Sequence, residues 1–412
     1  MKKTTKLIFM LLLGMMVLSC KKKPAAPFEE EKPGGVKPVA HGTVVGLATE
    51  QTIGPGGGQL TIVGTKLKLS VPAGALDGEV KVTVSEVTNT LPNGAVGKAY
   101  RFLPENVQFK KDVEITLPYE PLTNTSPQAL HLAYQDGKGY WHMVKEALVD
   151  ENNRTVTAKT RHFSDWGAVA NLYIKNNGKN ALDKSQSTEL EIAFLPSVSD
   201  DDLLAPDVPL DASKVKQWRI AYGATGYGTV TGGQSTKATY TAPATLTVVK
   251  TATVEVELQG VGEKPLQPVI LQYKVKLRPD EYCLWTFNNE YLFYSDRTDV
   301  WYSDKMYVNF YGNKDSYRFH IEAPTQTFGV KPFGENKAFV SSFVDGHDYY
   351  ASTYNECGSS EALFTDGQIL VTGVENGLVS GEVSGQIRFR DPSGNCYKKS
   401  FVIWAEFRYR KK

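Results

Sequence analysis

Histidine, cysteine and net charge are all scarce in this chain, and each shortage removes a class of function. Its 412 residues hold six histidines: His41, His131, His142, His162, His320 and His347. None falls in an HExxH pattern or a close cluster, so no metal site is expected. No Gly-x-Ser-x-Gly elbow sits between a strand and a helix, which removes the usual esterase arrangement. Lys and Arg number 46 against 45 Asp and Glu, a net charge of +1, so there is no basic field of the kind that holds nucleic acid. The Gly-rich stretch Gly223 to Gly233 lacks a Gly-Lys-Ser/Thr ending and reads as a hairpin tip, not a phosphate loop. Asp200-Asp201-Asp202, with Asp207 and Asp211 beyond, lacks the Asp-x-Asp alternation of a calcium loop and reads as a solvated acidic loop. No cofactor is expected. Apolar length is short too: the uncharged run Leu7 to Leu18 falls below the roughly 20 residues a membrane-spanning helix needs.

That run is nevertheless informative. Lys2, Lys3 and Lys6 precede it, and a basic start before a short apolar stretch reads as an export signal. It ends at Val17-Leu18-Ser19-Cys20, which resembles a lipobox, the recognition site of bacterial lipoproteins. The resemblance implies that residues 1–19 are removed and that Cys20 becomes an acylated N-terminus. Several buried acyl chains, at about 0.8 kcal/mol per methylene, make such an anchor stable. Residues 20–41 then read as a lipidated, disordered linker with Lys21-Lys22-Lys23, Glu29-Glu30-Glu31 and several prolines. The lysines either sit on anionic headgroups or belong to a solvated spacer. Lys rather than Asp after Cys20 disfavours inner-membrane retention, by resemblance to the sorting rule of enteric bacteria. The expected place is the cell envelope, at the outer membrane, with either face open.

With Cys20 acylated, Cys283, Cys357 and Cys396 remain. An odd number allows one disulfide and one free thiol, or none. Cys357-Gly358 and Gly394-Asn395-Cys396 both look like turns, which favours a Cys357–Cys396 bridge.

Composition points to an all-β chain: Gly 36, Tyr 21, Phe 18 and few long helical patterns. Three tandem antiparallel β-sandwich-type modules are expected, over 42–172, 173–279 and 280–412. In the first, period-two runs such as Lys66 to Val71 and Val80 to Val84 alternate with turn residues. Gly56-Gly57-Gly58, Val71-Pro72-Ala73-Gly74-Ala75-Leu76, Phe102-Leu103-Pro104 and Phe109 to Val113 follow in order. This series resembles the ZU-five domain, shared by ankyrins, netrin receptors and zonula occludens proteins. The resemblance covers about a third of the chain and implies an all-β interaction module without a cofactor.

His162-Phe163-Ser164 closes that module. In some members of the family a His-Phe-Ser tripeptide cleaves itself between Phe and Ser. Applied here, Ser164 Oγ would attack the Phe163 carbonyl while His162 takes the proton, and a strained backbone would be needed. The other reading is structural, with Phe163 in the core and Ser164 bonded locally. Beyond this single-turnover step the chain reads as non-enzymatic, with no other catalytic residues.

In the second module, Trp218 and the string Ala238 to Ala244 resemble the immunoglobulin-like repeats of bacterial surface proteins, in which a Tyr-x-Ala-Pro turn follows a strand. The third is dense in aromatics, among them Tyr291, Tyr294, Trp301, Tyr307, Phe310 and Tyr311. These either build a core or stack on sugar rings. Two functions follow: an interaction, adhesion or scaffold protein held at the membrane by its lipid, or a glycan-binding accessory lipoprotein using residues 280–412. The partner is then an unidentified protein or glycan, with no nucleic acid.

Overall fold

The computed structural model describes residues 35–198, 202–261, 267–288, 291–300, 305–312, 317–344, 348–390 and 397–411. Cys20 with the signal and most of the linker, Asp200, Asp201, Trp301, His347 and Cys396 lie outside the described residues. The chain is all-β and antiparallel almost throughout.

The first module is a sandwich. One sheet runs in the order Thr49–Ile53, Val80–Val87, Ala95–Leu103, Asp165–Ala170, Leu130–Gln135, Trp141–Val144. The other runs Gly58–Thr61, Lys68–Val71, Gln108–Pro118, Thr155–His162, Ala147–Asp150. The period-two pattern explains the packing. Leu67, Leu69 and Val71 are buried while Lys66, Lys68 and Ser70 face outward, and Val82 and Val84 meet them from the opposite sheet.

Two segments outside the expected limits of this module pack on it. Leu203–Leu204 pairs with Trp141–Val144 through Leu203 and His142, and Ser197–Val198 extends the same edge. Leu203 and Ala205 bury against Tyr140 and Val36, which covers an otherwise open strand. Residues 36–41, expected in the linker, are held as well: Val39 N–H donates to Gly139 O at 2.9 Å.

The second module is also a two-sheet sandwich. Leu172–Asn176, Ser187–Phe194, Lys237–Thr241 and Thr229–Thr231 face Ala181–Leu182, Val269–Leu277, Lys250–Leu258 and Val215–Ile220. Trp218 lies in its core and donates from Nε1 to Ser235 O at 2.8 Å. Trp218→Phe should therefore cost about 1–2 kcal/mol, one lost hydrogen bond plus a small void, read as a lower urea midpoint of this module. Within the Gly-rich stretch Gly223 to Gly233, Thr229–Thr231 is itself a strand that pairs with Lys237–Thr241, so only the end of the stretch, from Gly232, belongs to the hairpin tip. Main-chain bonds tie this module to the first: Ile174 N–H to Asn124 O at 2.7 Å and Lys274 N–H to Thr123 O at 2.9 Å.

The third module closes on itself. Strands Tyr282–Phe287, Tyr291–Val300, Met306–Gly312, Arg318–Ala323, Phe339–Val344, Asp348–Ala351, Leu378–Arg390 and Tyr397–Arg410 each pair with the next. Tyr397–Arg410 then returns to Tyr282–Phe287, completing an eight-stranded ring. Eight strands enclose just enough room for side chains. Trp285, Phe310, Phe319, Phe407 and Tyr409 fill it and are fully buried. Gly381 permits this: a Cβ there would stand 2.5 Å from the Phe407 ring.

Candidate functional site

The His162-Phe163-Ser164 tripeptide is the crossing from one sheet of the first sandwich to the other. Thr155–His162 belongs to the five-stranded sheet and Asp165–Ala170 to the larger one. A break in register between Thr160 and His162 lets the chain leave the first sheet. Phe163 then plugs the corner, 4.9 Å from the Phe109 ring and 5.9 Å from Phe102.

The geometry divides the reaction's parts. His162 Nδ1 lies 3.4 Å from Phe163 O, the carbonyl that a cut would convert to an oxyanion. A donor there supports the oxyanion, which is not the task of a base. The Ser164 hydroxyl is buried and donates to Gln135 O, and Ser164 O accepts from Phe102 N–H at 2.9 Å. No hydrogen bond joins His162 to Ser164 among the described residues. His162 sits against the Tyr134 ring at 4.7 Å, and burial holds its pKa below the ordinary histidine value. It is therefore neutral near pH 7.

The next residue, Asp165, carries the strongest electrostatics of the corner. It is 1% exposed and accepts from Arg101 Nε at 2.6 Å and Nη2 at 2.8 Å, with His41 Nδ1 at 3.2 Å. The bond to Asp165 also raises the Arg101 pKa further. Neither Asp165 nor Arg161 orients His162: Arg161 pairs with Asp112 at the surface. His41, Glu105 and Asp165 could offer ligand atoms within 4.8 Å of one another. Both Asp165 oxygens already accept from Arg101, so the corner holds a hydrogen-bonded cluster of Arg101, Asp165 and His41. Only its side-chain types were visible in the sequence, because 124 residues separate His41 from Asp165.

Of the other expected site residues, Cys357 is disulfide-bonded and Cys283 is free and buried. Cys396, the partner expected for Cys357, lies outside the described residues. The aromatics of the third module split between faces. Phe310 points into the barrel, whereas Tyr307 and Tyr311 stand half-buried on its outside.

No protein family and no curated protein matches the chain. The solved isotype 1 transferrin binding protein B of serogroup B Neisseria meningitidis aligns over 82% of this chain and 67% of that one, with 11% identity and a TM-score of 0.12. Likeness at that level carries no argument.

Proposed function

We propose that this chain is a lipid-anchored protein of the bacterial envelope, held at the outer membrane through Cys20 and working without turnover as an interaction, adhesion or scaffold protein. The observation that carries the reading is continuity. Main-chain bonds join the first module to the second, and a cluster of ion pairs joins the second to the filled barrel. Such a body transmits position and offers its outer surfaces for contact. The ZU-five and immunoglobulin-like resemblances belong to the same reading. So does self-cleavage as a single event, which would require the Ser164 hydroxyl to leave Gln135 O and His162 to turn toward it.

Mass spectrometry of the protein taken from its native envelope tests this. The expected species carries a diacylglyceryl thioether on Cys20 and an uncut Phe163–Ser164 bond. An unmodified N-terminus upstream of Cys20 would sink the anchor. A fragment beginning at Ser164, lost on Ser164→Ala, would show that the corner is catalytic.

A second reading has its own support. Half-buried aromatics on the outside of the barrel, Tyr307, Tyr311, Phe343 and Tyr349, suit a glycan-binding accessory lipoprotein.

A further inference from the structure

The first two modules leave a groove where they join. A segment of the first module runs along the strand Val269–Leu277 of the second, with Lys274 N–H donating to Thr123 O at 2.9 Å. The groove beside it holds about 740 Å³ and takes its lining from both modules: Tyr119 and Arg154 from the first, Arg219, Tyr222, Glu255 and Gln272 from the second. Ligand sites are of roughly 300–1,000 Å³ and favour such boundaries.

The floor is a row of planar polar groups. Register sets Arg219, Glu255 and Gln272 side by side on Val215–Ile220, Lys250–Leu258 and Val269–Leu277. Alternation sends Val254 and Val256 into the core and Glu255 to the opposite face. Glu255 is nevertheless only 6% exposed, and its two oxygens accept from Arg219 Nε at 2.9 Å and Gln272 Nε2 at 3.0 Å. Arg219 Nη1 donates to Glu257 at 2.9 Å. Arg219 Nη2 and Gln272 Oε1 are left as a donor and an acceptor with no bond among the described residues. Tyr119 is also 6% exposed, with its ring in the core of the first sandwich, and it lines the groove with a hydroxyl that has no protein partner among the described residues.

The rim holds a residue that packing does not explain. Tyr222 is 96% exposed, yet its φ is +57°, a left-handed conformation that costs an aromatic residue strain. No other aromatic residue adopts it among the described residues. The ring belongs to no core and makes no hydrogen bond there, so the fold gains nothing visible from it.

We propose that this groove binds a neutral oligosaccharide, with one pyranose face on the Tyr222 ring and its hydroxyls on Arg219, Gln272 and Tyr119. Two carboxylates of the lining, Glu151 and Glu255, balance two guanidiniums, Arg154 and Arg219, so no net field selects a charged ligand. Planar amide and guanidinium groups present paired donors and acceptors to neighbouring hydroxyls, and the exposed ring supplies apolar area for the CH face of a sugar. The groove lies outside residues 280–412, so the proposal goes beyond the barrel reading above and does not depend on it. A short peptide is the competing occupant.

The test is calorimetric titration of the full chain from residue 20 onward, with Cys20→Ser to keep it in solution. The probes are maltotriose, cellotriose and the trimer of N-acetylglucosamine, with tri-alanine as the peptide. At least one trisaccharide should bind with a Kd of about 1 mM or tighter, and tri-alanine should not bind. Tyr222→Gly should weaken that binding about tenfold or more, while the thermal midpoint stays level or rises, because glycine relieves the strain. Gln272→Ala should weaken it about tenfold, the loss of one or two hydrogen bonds. No heat from any trisaccharide at about 10 mM, or tighter binding of tri-alanine, would overturn the proposal. So would a lower midpoint with unchanged binding in Tyr222→Gly, which would assign the ring to the fold. Binding that survives Tyr222→Gly but is lost in Tyr311→Ala belongs to the barrel, which overturns this proposal and supports that reading.

Discussion

Asp165→Ala should lower the stability of the first module by about 3–5 kcal/mol, which moves its unfolding midpoint by roughly 2 M urea. The size follows from what the substitution leaves behind. Asp165 is 1% exposed and the Arg101 side chain only 19%, so the pair is shielded from water. Removing the carboxylate strands a guanidinium that keeps its charge under all ordinary conditions. An exposed pair would contribute only about 0–1 kcal/mol. A loss within that smaller range would show that water reaches the corner. Arg101→Met combined with Asp165→Ala should recover part of the loss, since neither charge is then left alone. His41→Ala should cost much less, because His41 is one-third exposed and is one of several groups around the carboxylate.

The same pair has a second consequence. Arg101 Nη2 also donates to Gly42 O at 2.8 Å, so the cluster fastens the chain where it enters the first module. Val36, buried beside Tyr140 and Leu203, fastens it a few residues earlier. In Asp165→Ala, limited proteolysis should therefore open the segment 35–45 before the sandwich core. On the proposed anchoring through Cys20, this fastening decides how stiffly the body is carried above the membrane.

How much of this was legible in the sequence depended on the distance over which each feature is encoded. Alternation within a strand is local, so Leu67-Lys68-Leu69 and Val82-Thr83-Val84 announced both their strands and their buried faces. Trp218 was readable as a core residue only through the resemblance to immunoglobulin-like repeats, and it does lie in the core of its module. Ring closure was not readable. The pairing of Tyr282–Phe287 with Tyr397–Arg410 spans more than a hundred residues, and a sandwich strand has the same period as a barrel strand. The tripeptide shows a subtler limit. His162, Phe163 and Ser164 were identifiable, but Ser164's bond to Gln135 O depends on a strand far away in the chain. That bond distinguishes a resting corner from a poised nucleophile.

Glu406→Gln should loosen the junction between the second and third modules by about 2–3 kcal/mol, a little below the cost of breaking a fully buried pair because the Glu406 side chain is 19% exposed. Glu406 accepts from Lys276 Nζ at 2.5 Å, Tyr282 Oη at 2.5 Å and Arg278 Nη1 at 3.2 Å. Asp183 answers the remaining charges, taking Arg408 at 2.9 Å and Arg278 at 3.2 Å. Lys276, Arg278 and Asp183 come from the second module, Glu406 and Arg408 from the barrel, so the contacts cross the junction. Burial alone would raise the Glu406 pKa, but the bonds from Lys276 and Tyr282 and the charge of Lys276 outweigh it and hold it below 4.5. A carboxylate with a depressed folded pKa contributes stability that is present above its unfolded value and is lost as pH falls through the folded one. The junction should therefore be indifferent to pH between 5 and 8 and weaken only in acid, below about pH 4. The variant carries the test of that assignment. Near pH 7, proteolysis between Pro279 and Asp280 should be faster in Glu406→Gln than in the parent. As pH falls, the parent loses the same charge and the difference between the two should close. A gap of constant size from pH 7 to pH 3 would mean that the shape of the side chain, and not its charge, holds the modules together.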